Sequence, residues 1–264
     1  MLLEKAKKIL RPIYGPAVDR WRQSHPRLEI DVEQFAGFRS PVRELLLKAA
    51  KARFYRHSEQ MLIRGFIYPR ERQLLYGLAR WLPGPIIEIG SWCGLSTTAI
   101  AHGIKDSGDR KQFRTYDLAL TLDNIRPFEG GYGLFLENDN VPHGVCSKEL
   151  YENYFFPVLS LPDAAQGELR RNIEKCGLTK FVNIQVGDFR TFPPIVCGLV
   201  FCDALHNLHE IALNAPALRP FLRSGSILAC HDIARNADLI AALRNEIPLG
   251  HATEVDRLYV AEVL

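Results

Sequence analysis

From about residue 69 onward, short and almost uninterrupted apolar runs alternate with amphipathic stretches, and this rhythm sets the expected fold. Pro69 can open a helix whose positions Leu74, Leu75, Leu78 and Trp81 share one face, and Pro83-Gly84-Pro85 ends it. Ile86-Ile87-Glu88-Ile89 then reads as a strand, followed by Gly90 and a helix from Ser96. Phe113 to Tyr116 is a second strand with Asp117 at its C-terminal end. Asp163 to Cys176 reads as a helix closed by Gly177, and Phe181 to Val186 as a strand ending in Gly187-Asp188. Val196 to Cys202 is an apolar strand ending at Asp203, after which a helical stretch runs to Leu222. Ser226 to Cys230 is a strand ending at His231-Asp232, Ala237 to Glu246 a helix, and Leu258 to Val263 a closing strand. Strands of this kind in alternation with helices predict an α/β fold, a doubly wound and mostly parallel sheet buried on both faces.

Two segments depart from the rhythm. Residues 1–60 read as a helical, basic N-terminal extension broken by Pro12, Pro16, Pro26 and Pro41, leaving 61–264 as the main domain. Within that domain, residues 118–161 form an insertion rich in Gly, Asn, Pro and aromatics. A loop of that length is usually functional, as a lid or substrate wall. A variable insertion or dimer contact carries equal weight, so a homo-oligomer stays open.

Composition changes the picture little. The 264 residues are 47% hydrophobic and 24% charged with a net charge of +3, which suits a globular domain and gives no reason to expect nucleic acid. Lys and Arg nonetheless outnumber Asp and Glu by about two to one before Gln60. That basic segment reads first as a cap over the pocket or a dimer contact. A membrane-surface helix around Leu2 to Leu10 is a second reading, and a nucleic-acid contact a third without a supporting motif. Six cysteines lack any C-x-x-C pair, and Cys197, Cys202 and Cys230 fall on buried strands, where a thiol behaves as a small hydrophobe. With neither a signal-peptide core nor a spanning apolar run, a cytoplasmic protein is expected.

Chemistry gathers at one edge. Glu88, Asp117, Asp203 and Asp232 all stand at or near strand ends, and Gly187-Asp188 makes a fifth case. Ligands of open α/β sheets bind outside those ends, near the switch in strand order. A single such carboxylate could merely cap a helix; five at one edge point to a pocket. The first turn, Glu88-Ile89-Gly90-Ser91-Trp92-Cys93-Gly94-Leu95-Ser96-Thr97, lacks the second glycine of a dinucleotide fingerprint. Its acid suits a cationic ligand better than a pyrophosphate, which disfavours a nicotinamide-dependent oxidoreductase.

These residues resemble the first motif of class I S-adenosylmethionine-dependent methyltransferases, whose Rossmann-like fold is the one expected here. The resemblance implies that Glu88 and the backbone from Gly90 through Ser91 to Gly94, with Ser96, border the methionine portion. Asp117 would hold the ribose hydroxyls, and Gly187, Asp188 and Phe189 the adenine. Narrower is the likeness of Phe201-Cys202-Asp203-Ala204-Leu205-His206, Leu222-Arg223-Ser224-Gly225 and His231-Asp232 to the macrocin and novobiocin sugar O-methyltransferase group. It implies a magnesium ion on Asp203 and Asp232. Two departures weaken that: Leu205 stands where Asp is frequent, and His231 replaces an acid, so the ligand set for Mg²⁺ is incomplete.

In-line transfer of a sulfonium methyl depends on positioning, and a hydroxyl acceptor must also lose its proton to a base or to a metal that acidifies it. Asp203, His206 and His231 are the catalytic candidates, although either histidine could simply be a satisfied loop or strand-end residue. The expected activity is O-methylation of a small-molecule acceptor such as a sugar or natural product. Transfer to nitrogen or to a lipid-linked glycan, and a non-catalytic S-adenosylmethionine-binding adaptor, are the alternatives.

Overall fold

The computed structural model describes residues 28–53, 63–136 and 140–264. Its strands in chain order are β1 (Ile86–Ile89), β2 (Phe113–Asp117), β3 (Ile125–Phe128), β4 (Gly131–Leu134), β5 (Gly144–Cys146), β6 (Asn183–Val186), β7 (Leu199–Cys202), β8 (Ile227–His231), β9 (Leu249–Val255) and β10 (Leu258–Val263). Its main helices are α1 (Ser40–Ala50), α2 (Pro69–Trp81), α3 (Leu95–Ser107), α4 (Ala164–Lys175), α5 (Leu208–Leu218) and α6 (Ala237–Glu246). Seven strands form one sheet in the order β6-β2-β1-β7-β8-β10-β9, parallel except where β10 runs antiparallel to both neighbours. From β1 the chain first builds outward through β2 and β6, then returns to lay β7 and β8 on the other side. The strand order therefore switches between β1 and β7, where such sheets open a crevice at their carboxyl edge.

Alternation along the strands divides the core in two. Ile86, Phe113, Leu199, Phe201, Ile227 and Ala229 face α2, α3 and α4, whereas Ile87, Ile89, Val200, Cys202, Leu228 and Cys230 face α5 and α6. Each fully buried aliphatic side chain contributes roughly 1.5–3 kcal/mol. The same alternation turns Glu88 and His231 toward the first face, beneath α3 and α2. The described part of the N-terminal segment joins that face too: Phe35, Phe38, Val42 and Leu46 belong to its core, and the guanidinium of Arg39 is ion-paired with the buried Glu262 of β10. The readings placed on residues 2–10 lie outside the described residues.

Two elements differ from expectation. The edge strand β9 has no apolar run because most of it is only half-buried, so Leu249 to Val255 lacked the pattern of a core strand. The insertion is not a bare loop but a three-stranded antiparallel sheet, β3-β4-β5, followed by a helical run through Tyr151–Phe155, which is π-helical, and Phe156–Leu159. Strands of three or four residues, with Gly and Pro among them, are too short to show a period. The crossover from β6 to β7 carries only the 3₁₀ turn Phe189–Thr191, and Phe192 and Ile195 cover the sheet in place of a helix.

Close helix packing gives a stability prediction. A Cβ on Gly103 of α3 would collide with the Tyr76 carbonyl oxygen of α2. Gly103→Ala is expected to destabilise by about 1–3 kcal/mol despite the better helix propensity of alanine, which offsets about 1 kcal/mol. Thermal unfolding checks this, and an unchanged or higher Tm would mean that α2 and α3 do not approach so closely.

Candidate functional site at the carboxyl edge of the sheet

The turn between β1 and α3 is held from behind by two acids. Gly90 has φ +84 and its missing Cβ would lie 2.6 Å from the Asp203 carbonyl oxygen, so only glycine lets the two strand ends meet. Asp117 closes the other side: its Oδ2 accepts from the Ser91 and Trp92 backbone N–H groups at 3.0 and 2.9 Å and from the Ser91 hydroxyl at 3.2 Å. Its Oδ1 accepts from Ala119 N–H at 2.9 Å. These bonds stabilise Trp92 in a left-handed backbone conformation, φ +46.

Several residues expected at the ligand serve the turn instead. Glu88 is fully buried, and its two oxygens accept from the Ser96 and Thr97 hydroxyls at 2.6 Å each. It is a brace between β1 and the start of α3 rather than an exposed anion for a cationic group, and the Ser96 hydroxyl is engaged with it. Gly94 was expected to admit a ligand, but its Cβ would meet the Leu169 side chain at 2.7 Å, so it admits α4. Phe189 is buried in the second core against Phe221 and offers no face to an adenine. Asp188 accepts from the Arg190 backbone N–H and pairs with its guanidinium at 2.5–2.9 Å. Although burial opposes ionisation, those bonds hold Asp188 below the usual carboxylate range. Gly187 keeps φ +130 at the end of β6.

Burial raises the pKa of Glu88 to about 7, with the hydroxyl bonds opposing it. A carboxyl with a raised folded-state pKa stabilises the fold below its ordinary value near 4.5, and that contribution is lost as pH rises through 7. The full loss is on the order of 3 kcal/mol. The Tm of the wild type is thus expected to fall between pH 5 and pH 8, and Glu88→Gln to flatten that slope. An equal slope in both proteins would place the titration elsewhere.

Asp203, at the end of β7, is the centre of a chain of ionic contacts. Its Oδ1 lies 3.3 Å from His206 Nε2 and 3.3 Å from His231 Nδ1. The second histidine also faces Asp232 Oδ1 at 3.0 Å and Glu71 Oε2 at 3.3 Å. Burial disfavours the Asp203 charge, yet the two imidazoles hold its pKa far below the carboxylate range. For His231, burial would expel the proton, but Asp203, Glu71 and Asp232 together raise its pKa to about 10. An imidazole that is 1% exposed and protonated at neutral pH cannot serve as a general base, so His231 acts as a buried counter-ion. Burial opposes the His206 charge as well, but Asp203 and Glu210 raise its pKa well above the usual imidazole value, and its ring is 36% exposed and reaches the edge.

Asp203, His206 and Asp232 place one ligand atom each within 4.8 Å of one another. Asp232 Oδ1 is buried and accepts no well-aligned hydrogen bond, although Arg257 lies 3.0 Å away. Two carboxylates and an imidazole make the donor set of a divalent cation, although His231 Nδ1 and Arg257 each already lie 3.0 Å from Asp232 Oδ1. The imidazole suits a transition metal better than Mg²⁺, which prefers oxygen.

Three further residues belong to the site and had no signal in the sequence. Glu71, buried on α2, accepts from the Tyr68 and Arg257 backbone N–H groups at 2.6 Å each. Glu210 on α5 faces His206 on one side and His143 of the insertion on the other. Beyond the turn, Trp92 packs against Phe155 at 5.4 Å between ring centroids, and Phe66 against Tyr154 at 4.4 Å, so the π-helical segment of the insertion walls one side of the edge. His206 lies only four residues before Glu210 and Tyr68 three before Glu71, but the other partners are distant in sequence, which is why periodicity could not find them.

A family model described as a methyltransferase domain matches residues 87–233. Among solved structures, the O-methyltransferase NovP is 14% identical over 73% of this chain and 77% of its own, with a TM-score of 0.49. The O-methyltransferase from Bacillus cereus, solved with SAH, is 16% identical over 94% and 97%, with a TM-score of 0.45. TomG of Streptomyces achromogenes, an O-methyltransferase involved in tomaymycin synthesis and solved with SAM, is 15% identical over 94% and 96%, with a TM-score of 0.46. No curated protein sequence matches the chain.

Proposed function

Because this chain belongs to the methyltransferase-domain family, whose model spans 87–233, we propose that it transfers the methyl group of S-adenosylmethionine to a hydroxyl of a small molecule. The observation that carries this reading is the meeting of the Gly90 turn with Asp203 at the switch point between β1 and β7. The turn supplies the cofactor side, with Ser91, Asp117 and Gly187 at its border. Asp203 and His206 supply the acceptor side a few ångströms away. An acceptor hydroxyl bound at Asp203 Oδ1 would give its proton to that carboxylate, with His206 Nε2 on the same oxygen as the neighbouring donor. A divalent cation, if held by Asp203 and Asp232 with His206 as third ligand, would supply the Lewis acidity that lowers the hydroxyl pKa. The residues' own part is then to orient the hydroxyl in line with the methyl, while the aromatic wall of the insertion excludes water.

Calorimetric titration with S-adenosylhomocysteine, followed by a mass-shift screen of hydroxylated metabolites with and without EDTA, tests the proposal. Binding and a gain of one methyl on a hydroxyl are expected. Binding without turnover on any acceptor favours an adaptor, and methylation confined to amines overturns the hydroxyl reading. Activity that survives chelation removes the cation and leaves the Asp203 carboxylate as the proton acceptor.

A further inference from the structure

We propose that Glu210 is the positioning residue of this site: it locks the ring of His206 so that Nε2 is the atom presented to the reaction, and it fastens the insertion to that ring through His143. The inference rests on the methyl-transfer reading for its purpose, though not for its geometry.

Glu210 is 4% exposed, in the first turn of α5. Its Oε2 accepts from the backbone N–H of His206 at 2.6 Å and lies 2.9 Å from Nδ1 of the same residue. Its Oε1 lies 3.0 Å from Nδ1 of His143, a buried residue of the insertion. A carboxylate only accepts, so both Nδ1 atoms must carry protons toward it. The tautomer of an imidazole is set by the bond its other nitrogen makes. With Nδ1–H committed to Glu210, Nε2 is the nitrogen turned to the edge, where it faces Asp203 at 3.3 Å. The shared anchor on the backbone N–H resists a ring flip, since rotation of the ring would leave Nδ1 without its acceptor.

The second half of the clamp comes from the same helical turn. Asn207 caps α5 by accepting from Glu210 N–H at 2.9 Å, and its amide donates to the His143 carbonyl oxygen at 3.2 Å. Ring and backbone of His143 are thus both held by α5, and the strand entering β5 is seated by them. One carboxylate therefore couples the seat of the insertion, which walls the edge, to the orientation of the imidazole that meets the acceptor. A glutamine could not replace it, because an amide offers one acceptor oxygen where two rings each need one.

The test uses the full chain and requires no acceptor. In protein labelled with ¹⁵N-histidine, His206 resonances are identified by their loss in His206→Gln. We expect His206 Nδ1 to carry a proton hydrogen-bonded to Glu210 with and without S-adenosylhomocysteine. In Glu210→Gln the Nδ1–H hydrogen bond of His206 should be lost and the ring should shift toward the Nε2–H tautomer, and hydrogen exchange in residues 143–146 should quicken by about tenfold or more. His143→Phe should quicken that exchange alike while leaving the His206 tautomer unchanged. A wild-type ring found without its Nδ1 proton overturns the proposal with no variant needed. So does a Glu210→Gln protein with unaltered tautomer and exchange, or a His143→Phe protein whose His206 tautomer shifts as far as in Glu210→Gln. Failure to bind S-adenosylhomocysteine alongside the expected tautomer would remove the methyl-transfer reading and leave the clamp standing.

Discussion

Asp203→Asn is expected to lower methyl transfer by about 100-fold or more while S-adenosylhomocysteine affinity stays within about threefold of the wild type. The carboxylate is the point where His206, His231 and the β1 turn converge, and it is the member of the ionic chain that an acceptor hydroxyl or a cation would meet. Asparagine preserves the volume and removes the charge. The fold should tolerate this, because His231 keeps Glu71 and Asp232 as counter-ions. The affinity should survive because the backbone carbonyl of residue 203, rather than its side chain, is what Gly90 packs against. Equal single-turnover rates in the two proteins would reject Asp203 as base, ligand or hydroxyl acceptor.

Asp117→Ala acts on the other half of the site. It is expected to weaken S-adenosylhomocysteine by about 30-fold or more and to lower the Tm as well. Removing the carboxylate strips acceptors from the N–H groups of Ser91, Trp92 and Ala119; the buried Ser91 donor left unpaired costs about 1–3 kcal/mol, and the part-buried other two cost less. The left-handed Trp92 would then relax and the turn would lose the shape that borders the cofactor. Asp117→Asn refines the result: its amide keeps one acceptor oxygen, so a variant that restores the Tm but not the affinity assigns the charge to the ribose. Unchanged calorimetric affinity in Asp117→Ala would mean that the cofactor does not lie along this turn.

Much of the architecture was legible because the buried parallel strands are apolar throughout and the helices are closed by recognisable stops. Pro69 opens α2, Gly177 follows α4 at φ +63, and β1, β7 and β8 lie where the apolar runs stand. The edge strand β9 and the small sheet of the insertion escaped because half-exposed or three-residue strands carry too little pattern. In the site, the positions of Asp117, Asp203 and Asp232 were readable from the ends of runs, while the direction of each side chain was not. Glu88 and Phe189 stand where the resemblance placed them, yet strand alternation and a tight turn direct both into the interior.

The sequence by itself determined that the chain is an α/β sheet with acids and a glycine turn at its carboxyl edge, since apolar period and chain stops are local properties. Tertiary structure decided what those acids do. Glu71, Glu210 and His143 reach the edge from α2, α5 and the insertion, and only their approach makes His231 a sealed counter-ion and leaves His206 as the exposed imidazole. Charge state and tautomer follow from which groups surround an atom in space, and no spacing along the chain records that.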